Sequence, residues 1–283
     1  MNTLKMIKEF PVPFKNLFRF HLPPYSLDIK YVSEFLGYKN HCYVEIESKK
    51  YTLKTATNLT EIYQALKLRN KCFFDFDQGI DKDSFDALCD HLIIIDNESQ
   101  RVVGTYRVIS DSFNIPFYSE GEFNLKEVKK LKGIKMELGR ACIDPDHRNG
   151  SVIDLLWKGI GRYAKELKAD WLFGCSSVKT TSAVNMSKLN GYLKSKNLIL
   201  DNIKITVNEP FVHPALKNGD LTVSGEDASE GKDFLPNLVK SYLMAGAKVS
   251  PVAAYDEEFK CFDLLTLLKI DEMSSSYKRR YMA

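Results

Sequence analysis

The chain predicts one elaborated α/β domain, a central mixed sheet flanked by helices, and three neighbouring stretches carry that prediction. In the first, Met136, Leu138 and Cys142 lie on one face of a period-two strand, which Asp144-Pro145 ends. In the second, Val152, Leu156, Ile160, Tyr163 and Leu167 repeat at helical spacing. The third, Trp171 to Ser177, is a further buried strand, so the unit reads β-α-β and its two strands run parallel. Arg148-Asn149-Gly150 supplies the turn before the helix, and Ser151 with Asp154 resembles a capping box that starts it near Val152. Free N–H groups at such a start, the helix dipole and Arg148 together suit an anionic phosphate; an ordinary strand-to-helix connection fits the same residues.

The stretch Glu137-Leu-Gly-Arg-Ala-Cys-Ile-Asp-Pro-Asp-His-Arg-Asn-Gly-Ser-Val-Ile-Asp-Leu-Leu-Trp157 resembles the ornithine-lipid N-acyltransferases, a hemolysin-like branch of the GNAT acyltransferases similar to acyl-homoserine-lactone synthases. The resemblance spans about Thr55 to Ile270 and implies a GNAT acyltransferase fold. It places residues 55–270 in the acyltransferase domain, residues 1–54 in a segment packed on or extending it, and residues 271–283 in a tail. It implies an enzyme that moves a fatty, 3-hydroxy acyl group from acyl carrier protein to the amino group of an amino acid, ornithine first and glycine next. An acyl-homoserine-lactone synthase, an acetyl-coenzyme A acetyltransferase and a non-catalytic acyl-binding protein are the alternatives. In the wider superfamily the loop that cradles coenzyme A carries small residues where Ser151 and Ile153 stand here. That departure favours the single phosphate of a carrier-borne phosphopantetheine over coenzyme A, with no cofactor bound to the enzyme itself. Lys158 and Arg162, four apart on one helix face, offer a basic surface to an acidic carrier.

Before this unit, Asn58 and Glu61 form a capping-box pattern ahead of a helix with Leu59, Ile62, Tyr63, Leu66 and Phe73 on one face. Its end, Leu68-Arg69-Asn70-Lys-Cys-Phe73, resembles an element in which the arginine and phenylalanine border the acyl-donor site; by spacing alone Arg69 belongs on a solvated face. Asp83-Ser-Phe-Asp86 resembles the D-x-x-D element that orders the active-site wall. Simple capping or loop solvation is the simpler reading, and so sparse a pair argues poorly for a metal. His91–Asp96 and Arg101–Ile109 form a hairpin, and Gly104-Thr-Tyr-Arg107 resembles the family's V-G-T-Y-R. A short helix is expected near Leu125 to Leu131.

Glu137 is the candidate acid/base or amine-positioning residue, because an ammonium must lose a proton before it attacks a thioester. Arg140 is of opposite parity, so both border one site only if a β-bulge intervenes, for which Gly139 is suited. Cys175 and Ser176 face the opening between the two parallel strands that the fold implies; a covalent route through Cys175 is an alternative, although no histidine is near in sequence.

Later, a helix is expected over Thr181–Lys196, a loop over Pro210–Lys232, a short helix over Phe234–Met244 and a strand over Lys248–Ala254, then an apolar run, Phe262–Ile270. Lys278-Arg-Arg280 reads as a solvated basic end. Prolines and aromatics fill the start of the first 54 residues, where regular structure is not expected; the basic residues there suit a strap along the domain or a membrane-surface element. Forty basic against 37 acidic residues give +3, no broad footprint for nucleic acid. Six cysteines without C-x-x-C spacing read as reduced thiols of a cytoplasmic protein. No apolar run approaches the roughly 18 residues that cross a bilayer, so membrane contact would be peripheral.

Overall fold

Eight strands form one sheet in which the hairpin and the β-α-β unit lie side by side. The computed structural model describes residues 33–74, 79–216, 219, 221 and 230–282. Strands β1 (Glu45–Glu47), β2 (Tyr51–Thr55), β3 (Asp90–Asp96), β4 (Arg101–Ser110), β6 (Ile134–Ile143), β7 (Ala169–Val178), β9 (Lys248–Asp256) and β10 (Cys261–Lys269) take the order β1-β2-β3-β4-β6-β7-β10-β9. Every neighbouring pair is antiparallel except β6 and β7, the parallel pair that the β-α-β reading requires. The short strands β5 (Phe123–Asn124) and β8 (Thr206–Val207) pair apart from this sheet. Among the described residues six helices accompany it: α1 (Leu59–Phe74), α2 (Lys126–Lys129), α3 (Gly150–Leu167), α4 (Ala183–Ser195), α5 (Asn237–Ala245) and α6 (Ser275–Tyr281).

Alternation along β3 sorts the helices. Leu92 and Ile94 join the cluster that holds Val152, Leu156, Ile160 and Tyr163 of α3, whereas Ile93 joins Ile62, Ala65 and Leu66 of α1. Both faces of the sheet are therefore buried here, and β3 and β4 are buried along nearly their whole length.

Regular structure does occur before residue 55: β1 and β2 form a hairpin that extends the sheet, joined through Thr55 and Val44. The alternation Tyr51, Leu53, Thr55 is buried against solvent-facing neighbours, the pattern of an edge-proximal strand. The aromatic and basic stretch Met1–Lys30 lies outside the described residues. The C-terminal basic end is also docked. In α6, Arg280 and Tyr281 both reach Asp154 of α3, and Tyr281 stacks on Trp157. A Cβ at Gly161 would lie 1.8 Å from the Tyr281 carbonyl oxygen, so only glycine lets the two helices meet there.

Candidate functional site

The site begins where β6 and β7 separate. Their ladder runs from Ile134 and Ala169 to Glu137 and Phe173 and stops, although both strands continue. Just past the last pair, a Cβ on Gly174 would stand 2.2 Å from the Leu138 carbonyl oxygen; glycine allows the close approach from which the strands splay. On its other edge β6 bulges against β4: Thr105 faces Cys142 and Arg107 faces Gly139, so two steps on one strand meet three on the other. The expected bulge is present, but the left-handed residue is Arg140, at φ 50°, and not Gly139. The carrier of the turn is set by where pairing resumes, and the ion pairs of Arg140 hold it there. Over the gap lies a cavity of about 210 Å³ whose wall includes Glu137, Gly139, Arg140, Phe73, Cys175 and Ser176. The extra residue thus brings Glu137 and Arg140 to one cavity. A smaller cavity of about 40 Å³, more apolar, shares Leu138, Cys175, Ser176 and Tyr242 with it and reaches Trp157, Leu172 and Leu268.

On this wall and behind it, three arginines face three aspartates. Arg69 is fully buried: its Nε donates to Asp81 at 2.7 Å, and its Nη1 and Nη2 donate to Asp86 at 2.6 and 3.2 Å. The solvated-face reading of Arg69 is therefore wrong. Helical periodicity treats arginine as polar, and only the loop folded back from Asp81 to Asp86 supplies the charges that let it go inside. Arg107 Nη1 donates to Asp83 at 2.6 Å, with Asp86 at 3.3 Å, and Arg140 Nη2 donates to Asp83 at 3.2 Å. Asp83 and Asp86 do cap their own turn, accepting the Phe85 and Asp83 N–H groups at 2.9 and 2.8 Å, and they are ion-pair partners rather than solvated loop residues. Against the upward push of its burial, Arg69, His91 and Arg107 hold the Asp86 carboxyl below its ordinary value. The Tyr118 ring lies between Arg107 and Arg140, 4.8 and 4.9 Å from the guanidinium carbons.

Glu137 is 2% exposed, and its two oxygens accept the Tyr118 and Ser119 N–H groups at 2.7 and 2.8 Å. Burial pushes its carboxyl above the usual value, opposed by those donors. The side chain therefore fixes the 118–119 backbone as well as facing the cavity. Cys175 donates through Sγ to Glu122 at 3.2 Å; burial and the charges of Glu122 and Asp263 push its thiol up, which opposes formation of a thiolate nucleophile. Ser176 accepts from Thr266 at 2.8 Å.

The Arg148–Ser151 loop opens α3, but none of its residues is on the cavity wall. Asn149 is the N-cap: its Oδ1 accepts from Ser151 N at 3.1 Å and Val152 N at 3.2 Å. The Ser151–Asp154 capping box is not formed, because the extended residue that precedes the helix is Asn149, and Asp154 instead pairs with Lys158 and Arg280. Arg148 Nε donates to the Ile143 carbonyl at 3.1 Å. Lys158 and Arg162 are exposed yet already paired, with Asp154 and Glu166 at i,i+4. At α1, Asn58 caps the Glu61 N–H, while Glu61 reaches the N–H of Thr57 rather than that of Asn58.

Sequence reading did not assign three further wall residues to the site: Glu122, Asp256 and Asp263, whose carboxylate oxygens lie within 4.8 Å of one another. More than 130 positions separate the first from the others, so no local motif marks them. Antiparallel pairing of β10 with β9 sets Asp263 beside Ala254, and pairing with β7 sets it beside Ser177, whose Oγ donates to it at 2.6 Å.

Residues 65–158 match the family model described as an acetyltransferase (GNAT) domain. L-ornithine N(alpha)-acyltransferase of Rhizobium meliloti (strain 1021) is 30% identical over 213 residues, 72% of this chain and 71% of that protein. The L-ornithine N(alpha)-acyltransferase of Brucella abortus (strain 2308) is 29% identical over 259 residues, 82% and 88% of the two chains. Among solved structures, FeeM, an N-acyl amino acid synthase from uncultured soil microbes, is 10% identical with a TM-score of 0.47, covering 82% of this chain and 95% of that one. With the splayed parallel pair, the bulged strand and relatives that match over most of their length, the chain is an acyltransferase of GNAT fold and belongs to the L-ornithine N(alpha)-acyltransferase family.

Proposed function

We propose that the enzyme transfers a 3-hydroxy fatty acyl group from the phosphopantetheine of acyl carrier protein to the α-amino group of ornithine, forming a lyso-aminolipid. The parting of β6 and β7 over a cavity carries this reading, because a gap between two strands can hold an extended thioester with its carbonyl against exposed backbone N–H groups of the bulge. Glu137 accepts the proton that the substrate ammonium must lose; the free amine attacks the thioester carbonyl, the C–N bond forms, and the C–S bond breaks to release the pantetheine thiol. Arg140, paired behind the wall, and Arg107 supply positive charge near the developing oxyanion. The apolar second cavity, walled by Trp157, Leu172 and Leu268, suits the start of the acyl chain.

Carrier protein is favoured over coenzyme A because the first N–H groups of α3 are already taken by Asn149, which leaves fewer donors for a diphosphate. The decisive comparison presents the same acyl chain on carrier protein and on coenzyme A, with ornithine and glycine as acceptors. Transfer from the carrier to ornithine is expected; equal or better use of acyl-coenzyme A would remove the donor assignment. Among the described residues no helix is long and apolar enough to cross a membrane, and a cytoplasmic enzyme touching the membrane surface is consistent with a lipid product.

A further inference from the structure

The charges on the cavity wall do not balance. Arg69, Arg107 and Arg140 are matched by Asp81, Asp83 and Asp86, which leaves four wall carboxyls with no ion pair among the described residues: Glu137, held by two backbone N–H groups, and the cluster of Glu122, Asp256 and Asp263, each at most 8% exposed. Their donors are neutral: Cys175 Sγ on Glu122, Ser177 Oγ on Asp263 and the Phe259 N–H on Asp256, at 3.2, 2.6 and 2.9 Å. Lys179, also on the wall, is exposed and pairs with none of them. Arg140, whose charge does reach Asp263, is already paired with Asp81 and Asp83, and three buried carboxyls so poorly compensated are unfavourable unless a further cation arrives or protons stay bound.

A second, independent feature has the opposite sign. Arg107 is 2% exposed and on the same wall, yet its buried Nη2 has no hydrogen-bond partner among the described residues. Its ion-pair partners Asp83 and Asp86 are both bound through Nη1. An orphaned guanidinium N–H beside a cavity is a ready donor to a carboxylate or carbonyl oxygen. Tyr118 lies between the two poles, against Arg107; burial raises its phenol, and the charge of nearby Glu122 adds to that rise while Arg140 opposes it.

We infer that this is a two-pole acceptor site for a dibasic amino acid: Glu122, Asp256 and Asp263 hold its side-chain ammonium, and Arg107 Nη2 holds its α-carboxylate. The α-amino group, one bond from the same carbon as the carboxylate, is then kept near Glu137 and the strand gap. The inference rests on the N-acyltransferase reading and adds to it the residues that select ornithine over an uncharged amino acid. Burial and mutual repulsion push Glu122 well above the ordinary carboxyl value, and burial pushes Asp263 to about 6, as expected of a cluster waiting for a cation.

The test compares ornithine with norvaline, which has the same carbon skeleton without the distal amine, and with putrescine, which lacks the carboxylate. The native enzyme, with acyl carrier protein as donor, is expected to favour ornithine over norvaline by about 10²-fold or more in kcat/KM, since norvaline leaves the buried acids unpaired. Asp263→Asn and Glu122→Gln should each shrink that ratio at least tenfold while leaving the KM for the acyl carrier protein unchanged. Arg107→Gln should weaken ornithine and norvaline alike and narrow the margin over putrescine. Should a variant fail to fold, calorimetric binding of the three ligands to the native enzyme decides the same point. Norvaline used or bound as well as ornithine would overturn the inference, as would loss of ornithine use on chelation of divalent metal, which would make the three acids a metal site. Absence of transfer to every acceptor, with ornithine still bound in preference to norvaline, would instead defeat the acyltransfer reading and leave the acceptor site standing.

Discussion

Replacing Arg69 by methionine tests whether the arginine–aspartate cluster is a structural necessity of this site. The substitution keeps an apolar stem of similar reach but removes three hydrogen bonds to Asp81 and Asp86, 2.6 to 3.2 Å long. Breaking a fully buried pair costs about 3–5 kcal/mol, because the partner carboxylate is left uncompensated. Asp86 would retain Arg107 Nη1 at 3.3 Å and the Asp83 N–H at 2.8 Å, and Asp81 would retain Arg140 at 3.4 Å, so the lower end, about 3 kcal/mol, is expected. That is a large share of the roughly 5–15 kcal/mol typical of a folded domain. Urea unfolding followed by fluorescence should show a lower midpoint with an unchanged slope. Arg69→Lys should lose less than Arg69→Met, since it keeps the charge but cannot bridge two carboxylates with a planar fork. The pH dependence has a definite sign. A carboxyl held below its ordinary value contributes stability present above 3.8 and lost as pH falls, so the gap between native and Arg69→Met should narrow in acid. A difference under about 1 kcal/mol at neutral pH would refute the argument, for it would mean that the buried charges need no arginine.

Four further outcomes follow from the site. Glu137→Gln should reduce turnover by about 10²-fold or more, and because the amide sets an NH2 against the Tyr118 or Ser119 N–H it should also cost about 1–3 kcal/mol; near-normal turnover in a folded variant would remove Glu137 from the chemistry. The KM for ornithine should fall as pH rises through about 6, where Asp263 ionises among Glu122, Asp256, Cys261, Ser177 and Arg140, and Asp263→Asn should flatten that profile. The same raised carboxyl makes the ligand-free protein lose stability as pH rises from 3.8 to about 6, which thermal melts without ornithine can detect. Cys175→Ser should keep activity within about threefold, since burial and nearby acids oppose a thiolate; loss on the order of 10³-fold with the fold intact would favour a covalent thiol.

Local patterns determined a good deal of this protein. Alternation in 136–142, helical spacing from Val152 and the apolar run from Trp171 suffice for the parallel β-α-β unit, because each rests on a period that neighbouring residues already display. The parity of Glu137 and Arg140 was enough to require a bulge, and the motif around them placed the chain in its family. The tertiary structure decided what depends on partners distant in sequence. Arg69 goes inside only because Asp81 and Asp86 fold back over α1. Asn149 takes the cap from Ser151 because its own backbone is extended at the turn, and Arg140 takes the left-handed position because pairing with β4 resumes beyond it. The acid pole was invisible for the same reason. Glu122 precedes β5 while Asp256 and Asp263 end β9 and begin β10, and no periodicity links residues whose proximity is created by the order in which strands join the sheet.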